Sequence, residues 1–273
     1  MLQRSITAVF LIAFVTLMLW LGGWYFAAAA FVATALCIYE ELRALTQGGH
    51  KPVWWTSFLS LAVSVPLVML YNSVVIIPTL AVFSFCVLLQ VMRREKPDLT
   101  DVMVSVLPML TLVLPAMCIF GILVTDLKRL QVMLMTMVFA VAVGGDTFAF
   151  FTGRAIGGAK LCPVVSPHKT VAGAIGGFLG SVLCAWLVGH LFGVFLPSPA
   201  YPPFWANLIV GAIGGVAGQV GDLFASMVKR HCGVKDFGNL FPGHGGMLDR
   251  MDSILFTAII VYCYRLICMA IAA

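Results

Sequence analysis

Asn207-Leu-Ile-Val-Gly-Ala-Ile-Gly-Gly-Val-Ala-Gly-Gln-Val-Gly-Asp-Leu-Phe-Ala-Ser-Met-Val-Lys-Arg230 reads as an apolar run that ends in charge. Nothing ionisable interrupts it before Asp222, and Lys229 and Arg230 close it. A helix needs about 20 mostly apolar residues to cross the hydrocarbon core of a bilayer, and this stretch supplies them over 205–227. Gly214, Gly218, Asp222 and Ser226 recur every four residues, so they share one stripe of that helix, and Lys229 continues it. The stripe therefore runs from bare backbone to a carboxylate, a hydroxyl and an ammonium. Close helix packing through small residues explains the glycines. It does not explain the aspartate, because an ionisable group near lipid is costly and marks function by default.

The same pattern repeats outward along the chain. Its 273 residues are 62% hydrophobic with a mean hydropathy of +1.06, a load that would cover a soluble domain in apolar surface. The expectation is an all-α, polytopic integral membrane protein. About nine transmembrane helices are expected, at 5–22, 24–41, 55–71, 74–92, 102–124, 130–151, 171–196, 205–227 and 253–271. Helices are required because backbone groups in lipid must bond within their own segment, and the alternation of a β-barrel is absent. The N-terminal run resembles a signal peptide, but the many later spans favour an uncleaved first helix. The eight cysteines show no paired spacing, so neither a disulfide framework nor a zinc site is expected.

Lys and Arg settle the expected direction of the spans. With the N-terminus in the cytoplasm, the inner loops hold Arg4, Arg43, Lys51, Arg93, Arg94, Lys96, Arg154, Lys160, Lys169, Lys229, Arg230, Lys235 and Arg250, whereas the outer loops hold only Lys128 and Arg129. The expected setting is a multi-pass protein of the inner, cytoplasmic membrane with its chemistry facing the cytoplasm. The chain divides into N-terminal helices over 1–130 and, over 131–273, helices and inner loops that carry the site. Together these form one integrated membrane domain.

The chemistry concentrates in 222–252. Asp222, Lys229, Arg230, His231, Lys235, Asp236, His244, Asp249, Arg250 and Asp252 fall in that stretch of a chain only 10% charged. Pro242-Gly-His-Gly-Gly246 is too rich in glycine for helix, and its backbone N–H groups could converge on an anion. Asp249 and Asp252 then stand three apart on one face of the last helix; acids in a first turn also suit the helix dipole. Upstream, Asp146 closes the sixth span, and Lys160, Ser166, Lys169 and Thr170 follow beside a second run of glycines.

Carboxylates, cations and glycines in one place suit a hard divalent ion such as Mg²⁺ shared with phosphates. Asp222 and Asp249 are the first choice of ligands, with Asp146 behind them. Lys229, Arg230, Lys235 and Arg250 would hold phosphate oxygens, Arg as a fork and Lys as a point charge. His231 and His244 are candidates for proton transfer or hydrogen bonding.

The string Ser226-Met-Val-Lys-Arg, then Lys235-Asp-Phe-Gly-Asn-Leu-Phe-Pro-Gly-His-Gly-Gly-Met-Leu-Asp249-Arg-Met-Asp252, resembles the signature of CDP-diacylglycerol synthases, also called phosphatidate cytidylyltransferases, of the bacterial type. The segments opening at Asp146 and Leu161 are similar to motifs of the same family. The resemblance implies a nucleotidyltransferase of phospholipid biosynthesis: CTP and phosphatidate give CDP-diacylglycerol and pyrophosphate, with Mg²⁺ and a second metal ion. It implies catalytic roles for Asp222, Lys229, Asp249 and Asp252. It places Ser166, Lys169, Ser226, Arg230, Lys235, Asp236, His244 and Arg250 at substrate. The expected partners are CTP, phosphatidate and the bilayer, with a homodimer as the assembly and no nucleic acid. Two other readings stay open: a CTP-dependent transferase for a different lipid acceptor, and a secondary transporter of anionic solutes.

Overall fold

The computed structural model describes residues 13–125, 127–198, 201–241, 243 and 245–272. Its first helix, α1, is described over 13–21, so the start of the first expected span lies outside the described residues. Then follow α2 (Gly23–Gln47), α3 (Trp54–Tyr71), a 3₁₀ turn (Asn72–Val75), α4 (Ile76–Met92) and α5 (Leu99–Pro108). A π turn at Met109–Val113 joins α5 to α6 (Leu114–Leu123), making one run of 25 residues. After it come α7 (Lys128–Ile156), a two-stranded hairpin of β1 (Lys160–Cys162) and β2 (Ser166–Thr170), α8 (Val171–Phe195), α9 (Phe204–His231) and α10 (Leu248–Ala272). Among the described residues six helical runs are long and apolar enough to cross a membrane, and α4 is a shorter apolar helix. This is an all-α, multi-pass membrane protein.

Several helices outrun their expected spans. α2 continues past residue 41 to Gln47, α7 past 151 to Ile156 and α9 past 227 to His231, while α10 begins at Leu248 instead of 253. Hydropathy marks only the part of a helix that lipid can cover. The added turns carry Arg43, Arg154, Lys229 and Asp249, charged residues that continue a helix once it leaves hydrocarbon. Among the described residues the hairpin is the one pair of β-strands. Pro163 and Pro167 interrupt any helix there, Val164 and Val165 form the turn, and Lys160 pairs antiparallel with Thr170 and Cys162 with Ser166.

The chain forms two compact units. The first comprises residues up to Val124 together with Val228–Met251; the second comprises Thr125–Met227 and the chain from Asp252 onward. In the first, a core of Cys37, Ile38, Leu42 and Leu45 on α2 is closed in with Leu61 and Val68 of α3 and Met117 and Phe120 of α6, all buried. Asp101 fastens its polar edge. Its carboxylate accepts the Lys51 N–H at 3.0 Å and pairs with Arg94 at 2.5 Å, while Ser105 Oγ accepts the Val53 N–H at 2.8 Å. Asp98 caps α5 by accepting the Thr100 N–H, and that bond holds its carboxyl below the usual range.

The second unit packs through small residues. Gly144 and Gly145 of α7 face Cys184 and Ser181 of α8, and Ser181 Oγ donates to the Val141 carbonyl at 3.0 Å. A side chain at Gly211 of α9 would stand 2.7 Å from Ala185 of α8, and one at Gly221 would stand 2.5 Å from the Asp252 carbonyl of α10. Gly214 and Gly218, the apolar end of the four-residue stripe, face Thr257 and Ser253 of α10. These glycines are contact residues: without side chains, helix backbones approach closely enough for van der Waals packing to hold them where lipid gives no hydrophobic drive.

Candidate active site

In the second unit one group of candidate residues begins with Asp222, brought to the charged end of α9 by the same helix turn that seats Gly218 and Gly221 on α10. Its Oδ2 meets Lys169 Nζ at 2.5 Å, and the two side chains are 29% and 27% exposed. Lys169 is presented by β2. The next residue, Thr170, ends the strand and caps α8 by accepting the Gly173 N–H at 3.0 Å. Two further acids belong to this unit. Asp146 Oδ2 accepts a hydrogen bond from Ser253 Oγ at 2.9 Å, and Asp252 Oδ1 accepts the Ser253 N–H at 2.8 Å. Ser253 thus touches an acid of α7 through its hydroxyl and an acid of its own helix through its amide. Both Asp252 and Ser253 are buried. Ser166 lies opposite Cys162 in the hairpin, and Ser226 is half-buried on α9.

In the first unit the candidate residues lie on the turn from α9 to α10. α9 closes with Lys229, Arg230 and His231, and the lysine and arginine suit its C-terminal dipole. Gly233, at φ 67°, reverses the chain, and the Val234 N–H returns to the Lys229 carbonyl at 2.9 Å. Lys229 Nζ lies 2.6 Å from Asp249 Oδ1 and 5.3 Å from the centre of the Phe237 ring. Asp249 Oδ2 accepts the N–H groups of Phe237 at 2.9 Å and Gly246 at 3.0 Å. Its side chain is 4% exposed. Both oxygens of this carboxylate are therefore engaged inside the protein. The loop closes on itself where the Phe241 N–H meets the Gly245 carbonyl at 2.9 Å. Lys235, Asp236 and Arg250 are exposed, as is Arg230. His244 lies outside the described residues.

Backbone amides in and beside the glycine loop are met by carboxylates. The Phe237 and Gly246 N–H groups go to Asp249, and those of Met247 and Leu248 go to Glu40 of α2 at 3.0 and 2.8 Å. Glu40 and Ser253 did not stand out in the sequence. Glu40 looks like one of three charges closing an apolar run, and a serine beside an aspartate has no signature. A further pair, His50 and His231, meets Nε2 to Nε2 at 2.9 Å with ring planes 12° apart. Within either unit, among the described residues, no three His, Cys, Asp or Glu side chains form a group able to hold a metal.

These lysine–aspartate pairs sit inside segments that a known protein family shares. The model of the cytidylyltransferase family matches residues 2–268, and the chain belongs to that family. Among curated proteins it is similar to several named phosphatidate cytidylyltransferase. One, from Brucella abortus, is 43% identical over 126 residues, which cover 46% of this chain and 44% of that protein. One from Staphylococcus epidermidis is 45% identical over 111 residues, 41% of this chain and 40% of that protein. One from Thermotoga maritima is 43% identical over 122 residues, 43% of each. The matched stretch spans less than half the length of these relatives.

Proposed function

We propose that this chain is a phosphatidate cytidylyltransferase. A phosphate oxygen of phosphatidate attacks the α-phosphorus of CTP, the bond from that phosphorus to the α,β-bridging oxygen breaks, and CDP-diacylglycerol and pyrophosphate result. The reading is carried by the family match over 2–268 in a chain whose signature segment holds a buried lysine–aspartate pair at 2.6 Å. The names of the relatives point the same way. The lipid supplies the nucleophile, so the protein's share is alignment and charge stabilisation.

The residues divide that work by their surroundings. Lys169 is half-exposed and held only at its ammonium by Asp222, so it can turn from the carboxylate to a phosphate oxygen. Arg230, Lys235 and Arg250 lie at the surface, where a triphosphate arrives, and Ser166 and Ser226 offer hydroxyls. Lys229 is more confined; held by Asp249, it presents a fixed charge. Asp236 and His244, both in the signature string, are proposed to meet substrate as well.

The donor chemistry at Asp222 fits Mg²⁺: a hard oxygen, partly open to solvent, balanced by an ammonium that a divalent ion outcompetes. Asp146, and Asp252 of the same unit, offer further hard oxygens. Asp249 becomes a ligand only if Lys229 releases Oδ1. Bound Mg²⁺ would neutralise the triphosphate and the departing pyrophosphate. A second ion, a homodimer, an inner-membrane location and a cytoplasmic site belong to the same proposal; the excess of Lys and Arg in alternate loops supports the orientation.

The test uses detergent-solubilised protein, CTP labelled in the cytosine ring, phosphatidate and Mg²⁺. Label should enter the lipid phase with release of pyrophosphate, and EDTA should stop it. Label that stays aqueous would overturn the reading. Transfer to another lipid phosphate but not to phosphatidate would change the acceptor. Light scattering of the same sample reads the assembly.

A further inference from the structure

Met247, the residue before α10, is not one of the side chains that usually cap a helix, yet the first N–H groups of a helix need partners. They find one on a different helix. Glu40 of α2 accepts the N–H groups of Met247 at 3.0 Å and Leu248 at 2.8 Å, one on each carboxylate oxygen. Glu40 is 6% exposed, too buried to serve as a surface charge. All three residues belong to the first unit.

Two glycines record the same contact. Gly238 and Gly246 do not have the positive φ of Gly243 and Gly245, so backbone conformation alone admits another residue at either position. What excludes one is Glu40: a Cβ at Gly238 or at Gly246 would run into its carboxylate oxygens. Gly246 also gives its N–H to Asp249, which holds Lys229. The order of contacts is therefore Glu40 to the Gly246–Leu248 turn, that turn to Asp249, and Asp249 to Lys229.

We infer that Glu40 is a positioning residue for cytidylyl transfer: a carboxylate that caps α10 from α2 and sets the glycine loop so that Asp249 and Lys229 stand in working register. This rests on the phosphatidate cytidylyltransferase reading. Glu40 touches no substrate in this role. Its loss leaves one buried and one part-buried N–H group without their acceptor and frees the turn that carries Asp249. Misplacement of a catalytic group by about 1 Å costs on the order of a hundredfold in rate.

The experiment measures kcat and the KM for CTP, together with amide hydrogen exchange over 237–249, in Glu40→Ala, Glu40→Gln and Glu40→Asp. Glu40→Ala should lower kcat roughly a hundredfold with KM nearly unchanged, and exchange at Phe237, Gly246, Met247 and Leu248 should quicken. Glu40→Gln keeps one good acceptor and should fall between. Gly246→Ala should be impaired beside Glu40 and regain activity when combined with Glu40→Asp, because the shorter side chain vacates the space. Wild-type kcat and unchanged exchange in Glu40→Ala would overturn the inference, as would failure of Glu40→Asp to rescue Gly246→Ala. If the wild-type protein transfers no cytidylyl group, the enzymatic reading fails. Hydrogen exchange then still decides whether Glu40 sets the loop: unchanged exchange overturns that part as well.

Discussion

The two lysine–aspartate pairs share one chemistry and differ in burial. Lys229 and Asp249 are 14% and 4% exposed, and the aspartate also collects two backbone N–H groups; Lys169 and Asp222 are 27% and 29% exposed and have each other. A buried ion pair whose lone pairs are satisfied holds a loop in place and is costly to break from one side. A half-exposed pair at similar distance is worth little to stability, because water screens it. The contrast separates a pair that fixes its loop from a pair partly open to solvent.

Removing Asp249 should test the contrast hardest. Asp249→Ala leaves the Lys229 ammonium and two amides unpaired, and should cost about 3–5 kcal/mol of stability as well as activity. Thermal unfolding in detergent reads the first and labelled CTP the second; an unchanged Tm would show that burial does not matter here. Asp222→Asn should split the two readouts. Turnover should fall at least roughly a hundredfold while Tm stays within a degree or two of wild type. A large loss of stability would make Asp222 a structural residue.

Packing comes next. Gly221→Ala places a methyl group against the Asp252 carbonyl and the Phe256 ring, and should destabilise by about 1–3 kcal/mol, with activity lost in proportion to folded protein. Thr170→Ala, which removes the cap of α8 one residue beyond Lys169, should cost about 1 kcal/mol. If Lys169 depends on that cap for its placement, kcat falls further than Tm explains; equal losses would show that the strand alone places it.

Sequence reading reached the membrane class and the helix order because apolar length is a strong local signal. It missed where helices end, since lipid-crossing length and helical length are different quantities: α2 gains a charged turn containing Arg43, and α10 gains one containing Asp249. The charged residues of the signature were visible as types. Their pairing was not, because partners lie far apart in the chain, as with Lys169 and Asp222 or Glu40 and Leu248. The glycines illustrate the same limit. Gly214 and Gly218 are spaced for helix packing and do pack on α10. Gly246 sits in a loop that reads as an anion nest, yet what excludes its side chain is a carboxylate two hundred residues earlier, and no spacing rule encodes that.

The hairpin gives Lys169 an unusual combination of stiffness and freedom. Its backbone is tied on one side by the ladder to β1 and on the other by the start of α8, so the Cα cannot drift. Four rotatable side-chain bonds remain. Rotamer changes of exposed side chains take picoseconds to nanoseconds. In the proposed reaction, a handover of the ammonium from carboxylate to phosphate would be a side-chain rotation on a fixed backbone.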